Sequence, residues 1–277
     1  MHQDLAMRLS ISLVVFQSDP VLLAKTLSSL AASVDAAQAE GVLSDVVLFM
    51  IDNAGGMEAQ AMRSLLQQHW PYAVELMIAP GNLGFGRGHN QLPASALGDY
   101  HLVINPDVNV QRDALSAALA YLYSAPGVGL LTPLCYRPEG GREYLVKRYP
   151  SLWVLLLRGF APAWLKRRCQ ATLADYECRA DAESVAHQQV EIASGCFMLL
   201  RCAAWQSVNG FAPDYFMYFE DFDLSLRLRQ AGWRIAFVPK VRIQHHGGHA
   251  ARKGLRHIRY FAVSAIRFFN RHGWRLC

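Results

Sequence analysis

The stretch FMYFEDFDLSLRLRQAGW, residues 216–233, places Glu220, Asp221 and Asp223 within four residues, directly behind a run of aromatic side chains. Carboxylates crowded against apolar rings are costly to ionise, and that is one way a general base is held ready. The same acids also suit the start of a helix whose apolar positions are Leu224, Leu228 and Ala231 and which Gly232 closes. There the helix dipole favours them by about 0.3–1 kcal/mol each when exposed. Both uses want acids at a helix start, so the local pattern leaves base and cap open.

Three further stretches could do chemistry. INPDV, from Ile104 to Val108, sets Asn105 and Asp107 two residues apart behind a strand. Amide and carboxylate oxygens so placed suit a hard divalent cation that also binds a diphosphate, or simply an Asn-Pro-Asp turn. GNLGFGRGHN, from Gly81 to Asn90, is a glycine-rich connection through which backbone N–H groups can approach phosphates, or a plain loop. It does not follow the first strand, where a dinucleotide fingerprint belongs. IQHHGGH, from Ile243 to His249, offers three histidines without the HExxH or cysteine partner of a zinc hydrolase. One imidazole could complete a site built by Asp107, or all three could be surface residues.

These groups need a frame. RLSISLVVF, VVLFMIDN, VELMIA, YHLVINPD and VGLLTP read as strands, alternating with helices over Pro20 to Ala39, Met57 to His69, Arg87 to Leu97 and Arg112 to Ser124. Apolar strands alternating with helices predict an α/β fold with a mostly parallel central sheet covered on both faces. Ligands then sit beyond the carboxyl ends of the strands, where Asp52 and Asp107 fall. From Pro138 to about Gln189 the pattern predicts an irregular or helical insertion. VEIASGCFMLLR and WRIAFVP return as late strands.

At 277 residues the chain supports one large domain, and its hydrophobic content of 52% is that of a globular protein. The expected division is a domain over 1–250, with halves 1–135 and 136–250, followed by a basic amphipathic helix over 251–277. Six cysteines without a CxxC pair point to reduced, buried thiols in a cytosolic protein. No apolar run approaches the roughly 20 residues that span a bilayer. The N-terminus lacks the apolar core and cleavage site of a signal peptide, so a soluble or peripheral protein is expected. Twelve of the 27 Lys and Arg residues lie after Asp223, where no Asp or Glu occurs, which points to an anionic partner. Leu255, Ile258, Ala262, Ala265, Ile266 and Phe269 recur at helical spacing among Arg252, Lys253, Arg256, Arg259 and Arg267. Such a helix either lies in an anionic membrane interface or packs on the domain. Nothing resembles a nucleic-acid recognition module.

In order, a first strand, DN after the second, GNLGFGRGHNQ, LVINPDV, ASGCFMLLR, VNGFAPDYFMYFEDFDLSLRLRQAGW and VRIQHHGG resemble the family 2 glycosyltransferases of the GT-A fold, over about Leu9 to Gly248. Together with KRYPSLWVLLLRG, they are similar to bacterial rhamnosyltransferases that build O-antigen and related cell-surface polysaccharides. The resemblance implies that Asp52 and Asn53 contact the nucleotide, and that Asn82, Phe85, Asn90 and Asn105 line the nucleotide-sugar pocket. It implies that Asp107, the last acid of the DxD motif, holds Mg2+ or Mn2+ with His246, His245 being the alternative. Asn105 stands where the first acid of that motif would be. Asp221 is then the base of an inverting transfer, Glu220 its support and Asp223 an acceptor-binding group.

The implied reaction takes a sugar from a nucleotide sugar, dTDP-L-rhamnose, to a lipid-linked saccharide on the inner face of the bacterial cytoplasmic membrane. A metal-dependent nucleotidyltransferase would instead release pyrophosphate, and a non-catalytic sugar-nucleotide-binding protein would bind without transfer.

Overall fold

The computed structural model describes residues 7–53, 59–180, 185–247 and 254–277. Arg252, Lys253, Gly248 and His249 lie outside the described residues, as do the first six positions. The first half alternates as the pattern requires: β1 (Met7–Val15), α1 (Pro20–Ala39), β2 (Leu43–Asp52), α2 (Ala59–His69), β3 (Ala73–Ile78), α3 (Phe85–His89), β4 (Tyr100–Ile104), β5 (Val108–Val110) and α4 (Ala114–Ser124). Asp19 caps α1 by accepting from Val21 N at 2.8 Å, and Pro20 opens it. Then come β6 (Val128–Tyr136), β7 (Arg142–Glu143), β8 (Val146–Lys147), α5 (Leu152–Phe160), α6 (Ala163–Arg168), α7 (Gln170–Tyr176), β9 (Ile192–Ala193), β10 (Phe197–Arg201), α8 (Cys202–Ser207), α9 (Glu220–Gln230), β11 (Arg234–His245) and α10 (Gly254–His272).

Among the described residues the main sheet has nine strands, in the order β3-β2-β1-β4-β10-β6-β11-β5, with β7 beside β6. The parallel expectation holds from β3 through β4 and for β6 with β11. It does not hold throughout: β10 runs antiparallel between β4 and β6, and β5 runs antiparallel to β11. Apolar strands buried on both faces look alike in either direction, so composition alone gives no sign of the reversal. Leu9, Ile11, Leu102 and Phe197 pack on one side with α1 and α4. Val103, Leu130, Met198 and Leu200 pack on the other with α8 and α9.

The helix expected over Arg87 to Leu97 is instead the single turn α3 followed by a 3-10 turn at Ala94–Ala96. Pro93, without an amide hydrogen, separates the two. The insertion after residue 138 is helical in α5, α6 and α7, held to the body by the β8–β9 ribbon. No disulfide joins the cysteines; Cys135, Cys196 and Cys202 are buried as expected, whereas Cys277 is exposed.

The C-terminal helix is not an appendage. Ala265, Phe268 and Phe269 are buried with Tyr215, Phe219 and Leu155. Ser264 Oγ donates to Met217 O at 2.8 Å. Its apolar residues therefore divide, with Leu255, Ile258 and Ile266 left exposed on another face.

Candidate active site

Strand register brings the candidate groups together. β10 pairs Phe197 with Ile104, so the residues just before β10 lie beside the segment just after β4. Asn105 N donates to Cys196 O at 3.0 Å across that junction. β11 pairs His245 with Val108 and β6 pairs Cys135 with Glu143, delivering an imidazole and a second carboxylate to Asp107.

At this first pole His245 stands between two acids, with Nε2 at 3.4 Å from Asp107 Oδ1 and Nδ1 at 3.1 Å from Glu143 Oε2. Burial disfavours its charge, but the hydrogen bonds and charges of Asp107 and Glu143 prevail and raise its pKa to about 9. Both carboxyls are held below their ordinary values: burial opposes this, and the contact with His245 overcomes it. The Asn105 amide lies 3.4 Å from the same His245 nitrogen. His246 stands apart from this cluster, its Nε2 at 3.4 Å from Asn109 Nδ2 and its amide donating to Asp107 O at 3.0 Å. Glu143 carried no signal in the sequence, because only the closing of β6 on β7 brings it here.

The second pole is Asp221. Its Oδ2 accepts from Gly195 N and its Oδ1 from Phe222 N, each at 2.9 Å. This carboxylate is partly buried in the first turn of α9. Burial raises its pKa, while these N–H groups and the charge of Lys147 pull the other way. Glu220 is buried, and its Oε2 has no hydrogen-bond partner. Its pKa is raised by burial first and by the adjacent Asp221 charge second. The buried Lys147 is itself lowered to about 8, chiefly by burial. Gly195 N donates to Asp221 and the next residue, Cys196, accepts from Asn105 N, so the two poles meet across one short stretch of chain.

The approach to Asp221 is strained. Tyr218 and Phe219 have φ values of 71° and 66°, in the left-handed region that costs on the order of 1–3 kcal/mol for such residues. Phe219 leaves α9 without a side-chain cap. Packing from α10 holds this turn: the Tyr218 hydroxyl meets His257 Nδ1 at 2.9 Å, and the Phe219 ring centroid lies 5.2 Å from that of Phe268.

The glycine-rich loop adjoins both poles. Asn53 is buried, with Nδ2 donating to Asn82 Oδ1 at 3.1 Å and to Gly84 O at 3.0 Å, while its Oδ1 accepts from Leu83 N at 2.9 Å. Asn82 also accepts from Gly84 N at 2.9 Å. At Gly84, φ is +84° and a Cβ would strike the Phe216 carbonyl, so glycine is required there. Phe85 N donates to that carbonyl at 3.1 Å, and its ring lies against Gly195, where a Cβ would come within 3.1 Å. Asp52 ends β2 beside Asn53, with its carbonyl accepting from Ala79 N at 2.9 Å.

One expectation is corrected. Asp223 does not face an acceptor: its side chain is fully buried and meets Arg227, Arg271 and His272 at 2.5, 3.0 and 2.8 Å. Asn90 is engaged within the protein, with Nδ2 donating to Phe211 O at 2.7 Å and Oδ1 accepting from Phe211 N at 3.0 Å, which pins two loops together. Asn53 is likewise engaged with the glycine-rich loop.

Among the described residues no three His, Cys, Asp or Glu side chains surround one point closely enough to hold a metal ion unaided. The donor set at Asp107 nevertheless suits a hard cation that takes its remaining oxygens from a diphosphate. The imidazolium between two carboxylates shows that positive charge is favoured there.

A family model described as "Glycosyltransferase like family 2" matches residues 9–266. The N-acetylglucosaminyl-diphospho-decaprenol L-rhamnosyltransferase of Mycobacterium tuberculosis is 30% identical over 193 residues, 64% of this chain and 60% of that relative. The rhamnosyltransferase WbbL of Escherichia coli is 32% identical over 183 residues, 62% of this chain and 64% of that relative. The match thus spans less than two thirds of either relative. Among solved structures, the mannosyltransferase PcManGT from Pyrobaculum calidifontis, in complex with GDP-Man and Mn2+, superposes with a TM-score of 0.59 at 17% identity, over 95% of this chain and 65% of that one. GalNAc-T7 with UDP, GalNAc and Mn2+ gives 0.59 at 14% identity, over 87% and 43%. At such identities the likeness concerns the fold, which is the GT-A type that the motif order implied.

Proposed function

The chain belongs to the family 2-like glycosyltransferases, and on that premise we propose that it is an inverting glycosyltransferase acting on a lipid-linked saccharide, with dTDP-L-rhamnose as donor. The observation that carries the reading is the Asp221 carboxylate, fixed by the Gly195 and Phe222 amides and bordered by the pole of Asp107, His245 and Glu143. A base and a diphosphate site on opposite sides of one reacting carbon are what inverting transfer needs. The names of the two bacterial relatives support rhamnose as the sugar.

In this mechanism Asp221 accepts the proton of the acceptor hydroxyl as its oxygen attacks the anomeric carbon. The bond from that carbon to the diphosphate oxygen breaks on the far side, and the electron pair leaves with the nucleoside diphosphate. Such a base contributes about 10²–10⁴-fold in rate. Glu220, disfavoured as an anion by burial and by the adjacent Asp221 charge, leaves the negative charge of the pair on Asp221. Mg2+ or Mn2+, held by Asp107 with His245 or His246, supplies Lewis-acid stabilisation of the leaving diphosphate when bound. Asp52 and the loop pinned by Asn53 and Asn82 receive the nucleotide.

No described helix is long and apolar enough to cross a membrane. A peripheral seat at the inner face of the cytoplasmic membrane is supported by exposed apolar residues beside a cluster of cations. Leu255, Ile258 and Ile266 are exposed on α10, and Trp153, Leu156, Phe160 and Trp164 on α5 and α6. The chain end joins these surfaces: Leu152 N and Trp153 N donate to Arg275 O and Leu276 O at 2.9 and 3.1 Å. Lys166, Arg167 and Arg168 close α6 and suit an anionic bilayer.

The test is a nucleotide-sugar panel with an N-acetylglucosaminyl-diphospho-lipid acceptor, with and without EDTA, scoring the released nucleotide and the anomeric configuration of the product. The reading expects dTDP release from dTDP-L-rhamnose and an inverted linkage. Pyrophosphate release would identify a nucleotidyltransferase, and a retained configuration would remove Asp221 as the base of an inverting reaction.

A further inference from the structure

Beside the strained turn, α10 and Phe216 enclose a second cavity of about 400 Å³. Its walls include the side chains of Arg256, Arg259 and Arg267 and the rings of Phe216 and Tyr260. Three guanidinium groups in one concavity repel one another and call for an anion. Their neighbours do not supply it. Arg256 Nε donates to the Tyr260 hydroxyl at 2.6 Å, and Arg267 donates to the backbone carbonyl of Asp214. The Asp214 carboxylate itself is engaged by Arg271 at 2.6 Å. Among the described residues no carboxylate forms an ion pair with Arg256, Arg259 or Arg267, and no acid follows Asp223 in the sequence.

The cavity is joined to the reaction centre through backbone. Phe216 forms its wall, and the Phe216 carbonyl accepts from Phe85 N, whose ring lies against Gly195, the residue that holds Asp221. Phe216 lies five positions before Asp221 in the chain. This is a different place from the pole of Asp107, which receives the donor's phosphates. A second anion site next to the base, lined by planar guanidinium forks and aromatic faces, fits a phosphate or diphosphate carried by the acceptor.

We propose that the cavity of Arg256, Arg259 and Arg267 binds the diphosphate linking the acceptor saccharide to its lipid, and so places the sugar hydroxyl at Asp221. The proposal rests on the transferase reading above and adds a substrate-specificity site to it. The anionic headgroup of a bilayer lipid offers the same chemistry from another source, and the experiment separates the two.

The probes are farnesyl-diphosphate-linked N-acetylglucosamine and octyl N-acetylglucosaminide, both in neutral detergent. The wild type is expected to favour the diphosphate acceptor in kcat/KM. The double variant R256Q/R259Q should lose that preference by about tenfold or more through a higher KM for the diphosphate acceptor, since it removes charge-assisted hydrogen bonds to the diphosphate. R256K/R259K, which keeps charge without the fork, should restore part of it. Inorganic pyrophosphate should compete with the diphosphate acceptor in the wild type and far less in the double Gln variant.

An unchanged preference ratio in R256Q/R259Q overturns the site. So does loss of binding to phosphatidylglycerol vesicles with an unchanged acceptor KM, which assigns the cavity to headgroups. Absence of transfer by the wild type to either acceptor from any donor in the panel would instead reject the transferase reading on which the site depends.

Discussion

His272 Nε2 and Asp223 Oδ1 stand 2.8 Å apart, although 49 positions separate them in the chain. The same carboxylate takes Arg227 and Arg271, so the last acid of the sequence ties α10 to α9, whose first turn carries Asp221. Burial opposes the Asp223 charge, but His272, Arg227 and Arg271 lower its pKa to about 2. A carboxylate depressed in the folded state contributes stability above its unfolded value of 3.8, and loses it as pH falls toward 2. Asp223→Ala should cost about 3–5 kcal/mol near pH 7, because Arg227, Arg271 and His272 lose their common partner. Denaturant melts should show that cost, narrowing below pH 4; a variant as stable as the wild type at pH 7 would refute the anchor.

Asp221→Asn should retain nucleotide-sugar binding in calorimetry and lose about 10²–10⁴-fold in turnover. Full turnover would exclude Asp221 as the base.

Glu220 gives a prediction with the opposite pH sense. Its pKa is raised in the folded state, so the fold binds its proton more tightly than the unfolded chain does. Stability is therefore lost as pH climbs from 4.5 through the raised value. Glu220→Gln should be more stable than the wild type at pH 9 and should lose that advantage at pH 4. Because Glu220 keeps its proton where Asp221 ionises, the same substitution should leave the acid limb of kcat/KM in place. A limb moved to lower pH would mean that Glu220 carries charge beside the base.

At the other pole, positive charge on His245 and a divalent cation compete for the same carboxylates. Mn2+ affinity should therefore rise with pH as the proton leaves, and Asp107→Ala should abolish metal-stimulated nucleoside diphosphate release. His245→Ala and His246→Ala, compared by Mn2+ titration, should show the larger loss at His245, which contacts Asp107 directly. Equal affinities in all variants would remove this pole as the metal site.

Membrane seating is tested apart from chemistry. Leu156→Asp with Trp164→Ala should weaken co-sedimentation with anionic vesicles while leaving turnover on a detergent-dispersed acceptor intact, since both residues are exposed and outside the site. Undiminished sedimentation would remove α5 and α6 from the bilayer contact.

Much of this molecule was legible from pattern. Pro20 and Ala39 bound α1 as read, and Asp107 and Asp221 fall at element ends where ligands gather. What escaped came from long-range pairing. Nothing local marks Glu143 as a partner of His245, because a two-residue strand closing on β6 puts it there. Nothing in a run of apolar residues tells that β10 is antiparallel. Asn90 and Asp223 read as ligand contacts because polar residues beside a motif look functional. Long-range contacts, which only the folded chain reveals, tie Asn90 to Phe211 and bury Asp223 among its partners.

The left-handed pair Tyr218 and Phe219 restricts how this protein can work at a surface. Their turn is held by His257, Phe261 and Phe268, all on α10, so α10 cannot peel away without releasing the geometry of Asp221. An anchor that must stay docked gives no slack. A copy seated on a bilayer would then ride as one rigid piece, with the height and tilt of Asp221 fixed by that helix. On the proposed function the reach would then come from the substrate, and the length of the saccharide above its lipid would decide which hydroxyl meets Asp221.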